Sequence, residues 1–256
     1  RAGLSLDGFF SDSLSSADIR GFVDVEGWDG IGPALLGEDE SFAAAFSGSL
    51  GETPDDSRWE IRLDSLRYAN TLGSFALDSA RMENLVLGKY RYLLVESGLL
   101  DATIGGFFDY GQYDDLWNHL LYNYFPAYEL ARDAALPENM NVAFQAELKD
   151  VGPLLRVAWP WLRVAGKARL SGGYDYAARE IRLEAEADTL AVGDLRLRAP
   201  GLSLAGRGKQ MRCVCRADEM AWAGIGAIYN VRDVMRVGWN RCDNDLSWSN
   251  WHERSY

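Results

Sequence analysis

The stretch "REIRLEAEADTLAVGDLRLRAPGLSLAGRG", from Arg179 to Gly208, decides how the rest of the chain reads. Ile181, Leu183, Ala185 and Ala187 alternate with Arg182, Glu184, Glu186 and Asp188. A period of two is the mark of a half-buried β-strand. Gly193-Asp194 is a turn signal, after which Leu195, Leu197 and Ala199 alternate with Arg196 and Arg198. Pro200-Gly201 breaks the run, and Leu202 and Leu204 open another piece. The alternation slips phase between Asp188 and Leu190, which predicts a turn or bulge there and a curled sheet in place of a flat layer.

Working outward, the same pattern recurs. "RWEIRLDSLRYA" (Arg58–Ala69) sets Trp59, Ile61 and Leu63 against Glu60, Arg62 and Asp64. "NVAFQAELKD" (Asn141–Asp150) puts Val142, Phe144, Ala146 and Leu148 on one side. Short strands separated by turn signals, without alternating helices, imply an extended β architecture and not βαβ units. The expected fold is mostly β, an elongated curled antiparallel or mixed sheet with one or two short helices. One helix is expected in "YDDLWNHLLYNYF" (Tyr113–Phe125), capped by Asp114 or Asp115 and ended by Pro126. Another is expected in "KDVGPLLRVAWPWLRV" (Lys149–Val164), with Asp150 as cap and Pro160 as stop. After Ala217 the pattern blurs and fits either helix or paired strands. The chain therefore divides into a β-rich segment (1–112), a helix-containing segment with a strand at 141–149 (113–164), repeated strands (165–216) and a C-terminal segment (217–256).

The 256 residues carry 38 acidic and 26 basic side chains, a net charge of −12, which speaks against a nucleic-acid partner. No apolar run reaches the length of about 18 residues that a membrane-spanning helix needs. The opening "RAGLSLDG" lacks Met and any leader pattern, and reads as a fragment or a processed product from which any targeting signal has been lost. Cys213 and Cys215 share a strand face and read as buried thiols, with Cys242 open as a disulfide partner for either.

Catalytic patterns are missing from the sequence. His119 and His252 are the two histidines, and His119 on a helix face reads as structural. There is no nucleophile elbow, no phosphate loop and no zinc-ligand spacing, so an enzyme, a cofactor and a metal site are not expected. The acidic turns "DVEGWDG" (Asp24–Gly30), "GEDE" (Gly37–Glu40) and "DYGQYDD" (Asp109–Asp115) read as solvated loops. Nine Trp and twelve Tyr leave open a glycan-stacking surface, but Trp28, Trp59, Trp159, Trp161 and Trp222 have apolar neighbours and are expected in the core.

The run "LPENMNVAFQAELKDVGPLLRVAWPWLRVAGKARLSGGYDYAAREIRLEAEADTLAVGDLRLRAPGLSLAGRG" resembles the periplasmic repeats of the AsmA-like family, in its translocation-and-assembly-module branch of the Bacteroidetes type. Upstream, "LDSARMENLVLGKYRYLLVESGLLDATIGGFFDYGQYDDLWNHLL" is similar in style. The resemblance implies a long sheet curled into an apolar groove, called a β-taco, in a periplasmic protein anchored in the inner membrane. It implies conduction of phospholipid acyl chains toward the outer membrane, or assembly of outer-membrane proteins with a barrel partner. The expected groove wall is Val142, Phe144, Ala146, Leu148, Ile181, Leu183, Ala185, Leu195, Leu197, Leu202 and Leu204. A β-sandwich that binds glycans through exposed Trp and Tyr is the alternative.

Overall fold

A computed structural model describes residues 2–10, 15–26, 40–53, 55–124, 136–238 and 241–250. Trp28, Pro126, Trp251, His252 and most of the Gly37–Glu40 loop lie outside the described residues. The chain is mostly β, with antiparallel strand pairings and, among the described residues, two α-helices, α1 (Tyr113–Tyr124) and α2 (Gly152–Ala158). It divides into two compact units, one of residues 1–103 and 148–163, the other of 104–147 and 164–256.

The first unit holds β1 (Ala2–Phe10), β2 (Ser15–Glu26), β3 (Ser41–Glu52), β4 (Asp56–Asn70), β5 (Gly73–Leu77), β6 (Ala80–Leu87), β7 (Tyr90–Ser97) and the start of β8 (Leu100–Phe107). Its hydrogen-bonded order is β1-β2-β3-β4-β6-β7-β8, with β5 paired to the second half of β4. Directly opposed residues share a face, so the registers fix what each face carries. One row reads Ile19, Gly48, Ile61, Met82, Val95, and the next Gly21, Phe46, Leu63, Ala80, Ser97. The other face reads Arg20, Ser47, Arg62, Arg81, Glu96, beside Asp18, Ser49, Glu60, Glu83, Leu94. A bulge in β4, where Ala45 opposes Ser65 and Phe46 opposes Leu63, keeps Leu66 and Tyr68 on the apolar side.

Helix α2 packs beside β5 and the end of β4 in this unit. Pro153 sits in its first turn, where a missing N–H costs nothing. The N-cap is Val151, without a side-chain hydrogen bond, and not the Asp150 that the sequence pointed to. Val151, Leu155 and Val157 are buried, and Asn70 Nδ2 donates to the Val157 carbonyl at 3.2 Å. The Trp159 N–H donates to the Leu155 carbonyl at 2.8 Å, closing the last turn just before Pro160.

The second unit contains the end of β8, α1, β9 (Asn141–Leu148, less its last residue), most of β10 (Leu162–Asp175), β11 (Glu180–Val192), β12 (Leu195–Arg198), β13 (Gly201–Arg207), β14 (Gln210–Trp222), β15 (Gly226–Gly238) and β16 (Arg241–Ser249). Its order is β9-β10-β11-β12-β14-β15-β16, and β13 also pairs with β11 and β14, end to end with β12. Among the described residues, the blurred sequence after Ala217 is the end of β14 followed by β15 and β16, all antiparallel, with β14 and β15 in register from Gln210↔Gly238 to Trp222↔Gly226. The core is a cluster of Leu136, Met140 and Tyr174, packed by Leu116 and Leu120 of α1 and by Val142 and Ile181 of the sheet.

The phase slip after Asp188 falls inside a continuous strand. Strand β11 runs unbroken through it, and Glu186↔Gly201 and Thr189↔Arg198 keep one register. Positive φ values fall nearby on other strands and turns: Gly166 (+79) in the adjacent β10, Ala199 (+48) between β12 and β13, and Asn230 (+52) further across the sheet in β15. Apolar positions change across this line from Leu183, Leu204 and Cys213 to Leu190, Leu197 and Met220, a reversal of parity in each of the three rows. Gly166 is required by more than its positive φ, because an added Cβ would run into the Asp188 carboxylate. That carboxylate accepts the Lys167 N–H at 2.8 Å.

Candidate functional site

The expected groove residues fall into separate groups. Val142 and Ile181 pack against the core cluster of the second unit. Leu183 opposes Leu204, and Ala185 opposes Leu202, which in turn opposes Cys215. Phe144 reaches over Gly172. Leu195 and Leu197 lie past the phase slip, opposing Val192 and Leu190 on one side and Trp222 and Met220 on the other. Ala146 is half-buried in β9, and Leu148 belongs to the first unit. All eleven are partly covered, and none is either sealed or fully exposed.

The first unit holds an apolar surface that lies outside that expected wall. Along the row Ile19, Gly48, Ile61, Met82, Val95, the central side chains stay open: Ile61 is 43% exposed and Met82 37%. The end of the same face is covered, with Tyr68 against Phe75 at 5.9 Å between ring centroids. The signal is present in "RWEIRLDS" and "ARMENLVL", but each strand alone shows only its alternation. Register is what aligns Ile61 with Met82 and Val95.

The opposite face of this unit is a closed lattice of charge. Glu60 takes Arg62 at 2.5 Å and Arg81 at 3.0 Å, and Glu83 takes Arg81 and Arg58 at 2.6 Å each. The hydrogen bonds from Arg62 and then Arg81 hold the Glu60 carboxyl below the usual carboxylate range. Like charges oppose each other directly here, Arg62 against Arg81 and Glu60 against Glu83, but every one finds an opposite charge on the diagonal or beside it on its own strand.

Polar and aromatic groups elsewhere make local contacts that hold turns and helix ends. His119 packs edge-on against Tyr176 at 5.2 Å, beside Tyr174, whose hydroxyl burial pushes up to about 12. Asn123 donates to the Gly208 carbonyl, and Tyr124 lies over Gly206, so α1 is pinned to the β13 end. Cys213 and Cys215 do share a face, with Sγ atoms 4.0 Å apart, and burial pushes the Cys213 thiol up to about 11. Cys242, exposed on β16, opposes Val237 and not a cysteine. Asp109 turns its carboxylate onto the Gly111 N–H at 3.0 Å, so that acidic loop serves its own turn. Among the described residues no group of three His, Cys, Asp or Glu is placed to hold a metal ion, and no helix is long and apolar enough to cross a membrane. The tryptophans depart from expectation: Trp159, Trp161 and Trp222 are 50, 55 and 43% exposed and lie outside any core. Their apolar neighbours in sequence alternate to the opposite face or sit in turns.

No known protein family, curated protein or solved structure matches the chain.

Proposed function

We propose that this chain is a lipid-handling β-sheet segment of the AsmA-like kind, in the translocation-and-assembly-module branch, working without catalysis in a bacterial envelope. In that role it carries phospholipid acyl chains toward the outer membrane, or supports insertion of outer-membrane proteins with a barrel partner. The observation that carries the reading is the open apolar row across β2, β3, β4, β6 and β7, with Ile61 and Met82 uncovered at its centre. Five strands at about 4.8 Å spacing make a row about 19 Å long. One leaflet of a hydrocarbon core is about 15 Å thick, so a single acyl chain fits along it. Each methylene taken out of water contributes about 0.8 kcal/mol without any specific contact, which accords with a surface that has no catalytic motif.

The test is binding of a fluorescent acyl probe, followed by native mass spectrometry of the chain after exposure to phospholipid. Retained lipid that is displaced by the probe supports the reading, and a chain that takes up neither defeats it. The exposed pair Trp159 and Trp161 favours one second reading, a glycan-stacking surface. Glycan binding that disappears in Trp159→Ala and Trp161→Ala would support that reading instead.

A further inference from the structure

The second unit gathers sulfur on one face. Strand β14 carries Met211, Cys213 and Cys215 at alternate positions, and Met235 of β15 opposes Cys213. Cys242 of β16 opposes Val237, which in turn opposes Met211. Directly opposed residues share a face, so all three cysteines and two of the five methionines belong to the same side of three adjacent strands. On β13, Leu204 and Leu202 oppose the two β14 thiols from the other side. The Cys213 and Cys215 Sγ atoms stand 4.0 Å apart; Cys213 is buried, and Cys215 and Met235 are half-buried. Asp233, opposite Cys215, has one carboxylate oxygen buried and without a hydrogen bond from any described residue.

The spacing selects among the things two thiols can do. A disulfide needs its sulfurs about 2.05 Å apart, about half of the separation here. Residues i and i+2 on a strand have Cα atoms about 6.7 Å apart, at the far limit for a disulfide. Closing one would pinch β14, which is laddered on both sides at Cys213 and Cys215. A metal ion needs no such movement. Two metal–sulfur bonds of about 2.3 Å reach about 4.6 Å end to end, so one ion spans the 4.0 Å gap in a bent arrangement. The donors then select the metal. Structural zinc takes four ligands, and among the described residues no group of three His, Cys, Asp or Glu is placed around one ion, so Asp233 does not complete such a set. Two thiolates with a thioether beside them suit a soft ion of low coordination number, which is monovalent copper. We propose that Cys213 and Cys215 bind one Cu(I) as a bis-thiolate, with Met235 as the third sulfur. Binding forms two copper–sulfur bonds and releases the two thiol protons to water, and the copper stays monovalent throughout. The cation also brings a positive charge to the face that holds the buried Asp233 oxygen. Cys242 lies two strand spacings from β14, about 10 Å, too far to share the ion. The site belongs to the second unit and draws nothing from the acyl-chain row of the first, so either can fail without the other.

The experiment is anaerobic titration of the whole chain with Cu(I), supplied as its acetonitrile complex, in competition with a chromophoric Cu(I) chelator. One ion per chain should be retained, with ultraviolet thiolate-to-copper absorption and, in X-ray absorption, sulfur neighbours at about 2.3 Å. Cys213→Val and Cys215→Val keep an apolar side chain in the strand, and each should weaken binding by about a hundred-fold or more. Met235→Leu keeps the size and loses the thioether, and should cost about ten-fold. It reads the same site should a thiol variant fail to fold, which circular dichroism would show. Cys242→Ser should leave the affinity unchanged. The proposal is overturned if the chelator strips all copper from the chain, or if copper is held without sulfur neighbours. It is also overturned if folded Cys213→Val, Cys215→Val and Met235→Leu bind as the parent does, if Cys242→Ser abolishes binding, or if Zn(II) displaces Cu(I).

Discussion

Replacing Ile61 with Glu separates an open apolar face from a sealed core. Complete burial of an isoleucine side chain is worth about 1.5–3 kcal/mol. Ile61 is 43% exposed, so a little over half of that is at stake. A glutamate there also keeps its carboxylate in water. The expected loss of stability is about 1–2 kcal/mol. Leu155→Ala in α2 provides the scale: that side chain is 8% exposed, and its truncation should cost about 2–5 kcal/mol. Binding should respond in the opposite order. A carboxylate in mid-row interrupts contact over about one strand spacing, three or four methylenes, so acyl-probe affinity should fall by about 2–3 kcal/mol, roughly 30- to 150-fold. Urea denaturation reads the first quantity and probe titration the second. If Ile61→Glu unfolds the chain as severely as Leu155→Ala, the face is a core and the reasoning fails. If the variant folds and binds the probe unchanged, the row is not the lipid site.

Further expectations concern Gly166, the thiols and the charge lattice. Gly166→Ala should destabilise by about 1–3 kcal/mol in urea melts, since φ is +79 and the new Cβ meets Asp188. An alkylating reagent at pH 8 should modify exposed Cys242 readily and leave Cys213 nearly untouched, because the Cys213 thiol is buried and titrates at about 11. Peptide mass spectrometry after a time course would show this, and equal labelling would contradict it. For Glu60, the folded pKa is held below that of an unperturbed glutamate, so its contribution to stability is present above the unfolded pKa and is lost as pH falls through the folded one. Urea midpoints of Glu60→Gln and the parent should therefore differ most near neutral pH and converge in acid.

Much of the fold could be read from alternation. The run from Arg179 to Gly208 gives β11, β12 and β13 with their turns, and α1 follows from the spacing of Leu116, Leu120 and Tyr124. Alternation works because each strand's two-residue period is a local property of the chain. It left helix and paired strands both open after Ala217, where Ala221-Trp222-Ala223-Gly224-Ile225 mixes a tight turn with both strand faces, and paired strands are what forms. It failed for Trp159, Trp161 and Trp222, since an apolar neighbour in sequence is not a neighbour in space.

The sequence by itself determined that the chain is β-rich, acidic and without catalytic spacing, because composition and period are properties of single segments. Pairing register was decided only by tertiary structure. It aligned Ile61 with Met82 and Val95, brought Arg81 within reach of Glu60, and left Arg212 facing Arg236. Register depends on hydrogen bonding between segments distant in sequence, and a shift of one residue would send each of these side chains to the other face.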